Sequence, residues 1–208
     1  MTTKTDFTKE YKAYYSASTR PELIHIEPAT YLSIQGKGDP SSAKFADDIQ
    51  ALYSLAYAVK FYFKAKGADF VVPKLEGIWW FDESRYSQLT MSTAPQQIPR
   101  SEWHYRLLLR MPEQLGNTTL NMLREETIAK KAMPELEKVV LHQLNEGRCI
   151  QILHNGPFDR EPETLAVLQT YMEDYGFRRN GPHHEIYLSD FRKSPPEKLR
   201  TILREPVQ

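Results

Sequence analysis

The stretches YLSIQGKG (31–38) and CIQILHNG (149–156) decide how this chain is read, because each is a largely apolar run closed by glycine and each opens the same succession of elements. After the first, Asp39-Pro40-Ser41-Ser42 reads as a turn and a helix N-cap region. A helical pattern follows from about Phe45 to Lys66, with Phe45, Ile49, Leu52, Leu55, Ala56, Val59 and Phe63 at three- and four-residue spacing, and Gly67 stops it. After the second, a Gly-Pro turn leads into a helix over 162–175, with Leu165, Leu168 and Met172 on one face and Gly176 at its end. Strands at 75–81 (LEGIWWF) and 102–112 (EWHYRLLLRMP) complete the first series, and strands at 183–190 (HHEIYLSD) and 198–207 (KLRTILREPV) complete the second.

The two series align element by element. EGIWWF (76–81) lies over HEIYLS (184–189), equating Gly77 with Glu185 and Trp79 with Tyr187. RLLLRMP (106–112) lies over RTILREP (200–206), placing Leu109, Arg110 and Pro112 on Leu203, Arg204 and Pro206. Three matches in the same order are hard to obtain by chance, so the chain reads as an α+β fold built from a tandem βαββ repeat. The first repeat covers about 23–112, beginning with a strand at 23–38 broken at Pro28. A connector helix covers about 117–140 and the second repeat about 148–207. Residues 1–20 form a polar arm ahead of a domain at 21–208. One helix per unit covers one sheet face, so a central groove is expected between the two bare faces.

Composition narrows the partners. Lys plus Arg and Asp plus Glu both number 27 in 208 residues, so the formal charge is zero and there is no basic surplus to favour direct nucleic-acid binding. Cys149 is the sole cysteine, which fits a reducing, cytoplasmic setting. The N-terminus is too polar for a signal peptide, and no apolar run approaches the roughly 20 residues that span a bilayer. No membrane role is expected, and the chain is read as a monomer or homodimer. Aromatic residues are plentiful, at 12% of the chain, which suits a pocket for flat molecules.

Alternation along 183–188 puts Glu185 and Tyr187 on one face and Ile186 and Leu188 on the other. The apolar pair is expected under the helix and the polar pair on the bare face, with Trp79 beside the groove and Trp80 in the helix-packed core. Gly77 opposite Glu185 would leave room for a ligand ring. Desolvation in an apolar groove raises the pKa of a carboxylate, which could then hold a cation or act as a general acid or base. A solvated carboxylate, or one paired with an arginine, is the plain alternative for Glu185. Trp103 and Tyr105 alternate on the fourth strand as a second groove wall or as ordinary packing, and their face is not fixed by the sequence. Tyr57, one turn from Tyr53, is a further candidate for the groove, with surface or core placement the commoner outcome. His183-His184 would point to opposite faces and cannot share an ion, and no other Cys or His spacing suits a metal. No phosphate loop or nucleophile motif is present, and no cofactor is expected.

The segments KGADFVVPKLEGIWWFDE (66–83), RLLLRMPE (106–113) and HHEIYLSDFRKSPPEKLRTILREPV (183–207) resemble the GyrI-like small-molecule-binding fold, which also forms the effector-binding domain of multidrug-responsive MerR- and AraC-type regulators. The likeness runs from about Glu27 to Val207 and is nearest the stand-alone branch. It implies a ligand groove with a carboxylate on the Glu-x-Tyr strand, here Glu185, facing aromatic or cationic small molecules. Some stand-alone members are hydrolases that open the cyclopropane ring of cyclopropanoid alkylating agents, a detoxifying reaction. The resemblance therefore implies a hydrolase with Glu185 catalytic and Trp79, Tyr187, Trp103, Gly77, Tyr105 and Tyr57 binding substrate. The alternative is a non-catalytic sensor or drug-sequestering protein. Residues 1–20 are too short for a helix-turn-helix, which argues against a regulator.

Overall fold

Ser42 and Gly67 bracket the longest helix. The Ser42 hydroxyl accepts a hydrogen bond from the Phe45 amide, and the chain leaves the helix through Gly67 at φ +81°. The computed structural model describes residues 4–90 and 92–208. In chain order its elements are α1 (Phe7–Glu10), β1 (Glu22–Ile26), β2 (Ala29–Lys37), α2 (Ala43–Ala65), β3 (Glu76–Trp80), α3 (Ala94–Gln97), β4 (His104–Arg110), α4 (Asn117–Lys131), β5 (Val140–Leu144), β6 (Gly147–Asn155), α5 (Glu161–Asp174), β7 (His183–Tyr187) and β8 (Arg200–Pro206). No helix among the described residues is long and apolar enough to cross a membrane.

The strands form one antiparallel sheet in the order β1-β6-β8-β7-β3-β4-β2-β5. Exchanging β1 with β5, β2 with β6, β3 with β7 and β4 with β8 turns this order into its own reverse. The α+β tandem repeat is therefore a pseudo-twofold, with its axis between β3 and β7. Gly77 pairs directly with Glu185 there, so the two positions equated by the repeat face each other across the axis.

The apolar faces of the two long helices pack on the same side of the sheet. Ile49, Leu52, Leu55, Ala56 and Val59 of α2 share a core with Leu32, Ile34, Leu107 and Leu109, while Leu165, Leu168 and Met172 of α5 cover Ile150, Ile152 and Leu203. Each such Leu, Ile, Val or Met side chain contributes on the order of 1.5–3 kcal/mol. The α2 helix has 23 residues and α5 14, so the repeats share a plan but not a depth of cover.

Four expectations are corrected. The stretch 23–38 is two strands: β1 pairs with β6, and β2 pairs with β4 and β5, so each repeat lends its first strand to the other. The connector is helical only to Lys131. Ala132 adopts a left-handed conformation, residues 134–138 make a 3-10 turn, and Val140 already begins β5. The last-strand alignment slips by two residues, since Gly77 pairs with Leu107 and Glu185 with Leu203, which makes Leu107 the counterpart of Leu203. A slip of two preserves every side chain's face, so the residue pattern could not reveal it.

The fourth correction concerns the faces. Trp79, Glu185 and Tyr187 lie on the helix-bearing side, while Trp80, Ile186 and His184 lie on the opposite side. Trp79 stacks on Phe45 of α2 at 5.8 Å between ring centroids, whereas Trp80 stacks on His104. Apolarity misassigned the sides because both are covered. The N-terminal segment buries Tyr14 and Tyr15 on the far face, where Ile186 is also buried.

Candidate functional site

Strand alternation carries His183, Glu185 and Tyr187 to one face of β7, next to the pseudo-twofold axis. The Glu185 side chain is 14% exposed and is held on two sides. The Tyr187 hydroxyl donates to its Oε2 at 2.7 Å, and His183 Nε2 lies 3.4 Å from Oε1 as an ion pair. The Trp79 indole donates to the Tyr187 oxygen at 3.0 Å, so indole, phenol and carboxylate form a directed chain across β3 and β7. On the other side, His183 Nδ1 donates to Glu205 Oε1 at 2.7 Å, and Arg179 Nε donates to Glu205 Oε2 at 3.2 Å.

Burial alone would discharge His183, yet the charges of Glu205 and Glu185 outweigh it and raise its pKa to about 10. Burial and the adjacent Glu185 charge push the Tyr187 phenol well above its ordinary value, which keeps it a donor. Glu161, the first residue of α5, is buried with Oε1 lacking a partner among the described residues. Burial, then the Glu185 charge, raises its carboxyl far above the usual range, while His183 opposes the shift. The cluster thus offers a fixed, partly accessible carboxylate, a protonated imidazole and a second carboxyl held neutral. That set can orient a water and accept its proton.

Outside this cluster, a groove of about 450 Å³ runs along α2, lined by Phe45, Ile49, Tyr53, Tyr57, Phe191 and Arg192 among others. Its floor is aromatic. Phe45 stacks on Trp79, and Phe191 meets Tyr187 edge-on at 5.4 Å. Phe158 packs edge-on against both Tyr187 and Phe191, closing the layer beside α5. One ring thickness therefore separates the groove from the Trp79–Tyr187–Glu185 chain. Arg192 lies over the Tyr53 ring at 5.0 Å and is paired with Asp190, so the rim already displays a cation–π contact.

The remaining predicted residues divide. Tyr57 lines the groove and is half exposed. Tyr105 shares the face of Trp79 but is buried beneath Phe45, and its hydroxyl donates to Asp48 Oδ2 at 2.6 Å. Burial, then Asp48, pushes that phenol up to about 12. Trp103 packs against Phe81 at 5.2 Å and takes no part in lining the groove. Gly77 leaves no room for a ligand ring. A Cβ there would sit 2.8 Å from the Tyr187 oxygen and 2.9 Å from Trp79 Nε1, so the missing side chain is what lets those two atoms meet.

Sequence reasoning missed Glu161, Glu205, Phe158 and Phe191. Glu205 was within reach, because it alternates with Leu203, whose face is fixed by α5. Glu161 gave no signal, since an acid in the first helical turn is ordinarily exposed. The sequence also missed a second buried polar cluster, on the opposite face. There Glu76 accepts from the hydroxyls of Tyr14 and Tyr15 and from His184 Nε2, while His184 Nδ1 donates to Glu146 Oε1. Arg204 donates to the Tyr14 carbonyl and to Gln151. Burial opposes the charge on His184, but Glu146 and Glu76 raise its pKa to about 9. His183 and His184 thus serve separate faces, and no group of three or more His, Cys, Asp or Glu among the described residues could hold a metal ion.

Comparison with known proteins places the whole repeat. The family described as GyrI-like small molecule binding domain matches residues 19–208. An uncharacterized conserved protein from Listeria innocua is 36% identical, with 99% of this chain and 100% of that one covered and a TM-score of 0.87. A hydrolase from Listeria innocua is likewise 36% identical, with 99% and 100% covered and a TM-score of 0.84. The C-terminal domain of EcmrR is 12% identical over 91% of this chain and 97% of that domain, with a TM-score of 0.54, a likeness of fold alone. No curated protein matches the chain.

Proposed function

The chain belongs to the GyrI-like small-molecule-binding family, and from that premise we propose that it admits aromatic, largely apolar or cationic small molecules to the groove beside α2 and hydrolyses electrophilic cyclopropanoid compounds at Glu185. One observation carries the catalytic half of this reading. A partly exposed carboxylate, fixed by Tyr187 and His183, lies directly behind an aromatic floor. The hydrolase from Listeria innocua, at 36% identity over nearly the full chain, adds support.

In this reaction Glu185 takes a proton from a water. The water oxygen bonds to a cyclopropane carbon as the adjacent ring C–C bond breaks. The released electron pair moves through the conjugated system to its carbonyl oxygen, which then receives the proton back from Glu185, leaving an alcohol and a phenol. A strained ring activated by a carbonyl needs little more than this and a clamp. Trp79, Tyr187 and Tyr57 supply flat faces for it, while Phe191 and Phe158 turn aside to admit the substrate. Tyr105 and Gly77 act indirectly in this scheme, the first by supporting Phe45 and the second by leaving the Trp79–Tyr187 contact open.

The test is turnover. A catalytic amount of protein is incubated with a cyclopropanoid alkylator, and the ring-opened product is counted by mass spectrometry. The proposal requires many equivalents of product per protein. Product no greater than one equivalent would sink the hydrolase reading, and binding with no ring-opened product would support sequestration or sensing without chemistry, a reading favoured by the closed aromatic floor.

A further inference from the structure

A second cavity, of about 500 Å³, lies between the N-terminal segment and the ends of β2 and β4. It shares no lining residue with the groove along α2. Thr5 forms a parallel bridge with Phe70, its amide donating to the Asp69 carbonyl and its carbonyl accepting from the Val71 amide. Phe7 then stacks on Phe70 at 5.7 Å, and Phe63 meets Phe70 edge-on. These rings and Met111 form the apolar part of a wall that is otherwise polar.

One wall is charged. Arg110 is 7% exposed and lines this cavity, yet among the described residues its guanidinium makes no hydrogen bond and no ion pair. Its neighbours are ring faces, with the guanidinium carbon 3.6 Å from the Tyr11 centroid and 5.4 Å from that of Tyr14. Arg204, on the same far face, donates to the Tyr14 carbonyl and to Gln151 and pairs with Glu146 at 3.5 Å. Stacking leaves the in-plane N–H donors of a guanidinium free, and those donors match a carboxylate in two-point geometry. The Glu10 and Glu113 side chains stand at the rim and are exposed, where solvent screens them.

We propose that this cavity is a second ligand site, taking a compact apolar or aromatic molecule that bears one carboxylate, with Arg110 binding the carboxylate and Phe7, Phe63 and Phe70 enclosing the body. Its charge preference is opposite to that of a cation-accepting groove, and it owes nothing to Glu185. The N-terminal segment forms one wall, so occupancy also holds that segment against the sheet.

The experiment is calorimetric titration of the full chain with 2-naphthoate, and with the neutral 2-naphthamide as comparison. Saturable one-to-one binding of the naphthoate alone is expected, weakened roughly tenfold to a hundredfold in Arg110→Gln, as loss of a charge-assisted hydrogen-bonding partner implies. Ala68→Trp fills the exposed side of the cavity while keeping the arginine, and should abolish binding. Glu185→Gln should leave it unchanged. Absence of saturable naphthoate binding, equal binding of the amide, or equal affinity in a folded Arg110→Gln protein would overturn the proposal. If Arg110→Gln does not fold, persistence of binding in Ala68→Trp overturns it instead.

Discussion

Gly77→Ala is the smallest change that reaches the centre of the site. At a glycine whose backbone suits any residue, alanine ordinarily stabilises by about 0.4–1 kcal/mol through the unfolded chain. The structure reverses that sign. The added methyl would stand 2.8 Å from the Tyr187 oxygen and 2.9 Å from Trp79 Nε1, so one of these atoms must leave. Displacing the phenol removes the indole-to-phenol bond, worth about 1 kcal/mol, and the phenol-to-carboxylate bond, worth about 1.5–3 kcal/mol. Set against the backbone gain, the net destabilisation is about 1.5–3.5 kcal/mol. Urea denaturation measures it as a lowered midpoint with an unchanged slope. The variant should also misplace Glu185 and lose activity even where it stays folded. An alanine variant as stable as the parent, with the Tyr187–Glu185 bond intact in its crystal structure, would refute the reasoning.

Three further outcomes follow from the same geometry. His183 and His184 have folded pKa values of about 10 and 9, above the 6.5 of a free imidazole, so their contribution is complete below about pH 6.5 and is lost as pH rises through 9–10. The raised Glu161 carboxyl acts in the same direction, so the melting temperature should fall steadily from neutral to alkaline pH, and a flat or rising profile would contradict the assigned ion pairs. Tyr14→Phe strips one donor from fully buried Glu76 and should cost about 1.5–3 kcal/mol in urea unfolding, whereas an unchanged midpoint would mean the N-terminal segment is not bound through Tyr14. Ligand quenching of tryptophan fluorescence should disappear in Trp79→Phe, because Trp80 faces the opposite side and Trp103 lies away from the groove, and quenching that persists would remove Trp79 from the site.

The repeat was legible because its punctuation is chemical. Gly38 and Gly156 close equivalent strands at φ +129° and +125°, and Gly67 and Gly176 end equivalent helices at positive φ. The helix faces were legible for a similar reason, since the spacing of Ile49, Leu52, Leu55, Ala56 and Val59 matches the buried set. The exchange of β1 and β5 between repeats was not, because a five-residue strand carries no mark of its partner. The sidedness of the sheet failed where Tyr14 and Tyr15, read as part of a polar arm, turned out to cover the far face and bury it as deeply as the helices bury the near one. Pairing Gly77 with Glu185 was correct, but the purpose of the glycine came only from seeing Trp79 and Tyr187 converge above it.

Glu185 is the base in the proposed reaction. Replacing it with glutamine keeps its shape and an oxygen to accept from Tyr187, but removes the carboxylate proposed to take the proton from water. Ring-opening turnover of a cyclopropanoid substrate by Glu185→Gln should fall by roughly a hundredfold or more, the usual scale of a lost general base, while affinity for the ring-opened product changes little. Turnover within about threefold of the parent protein, under conditions where general-base loss should dominate, would contradict it.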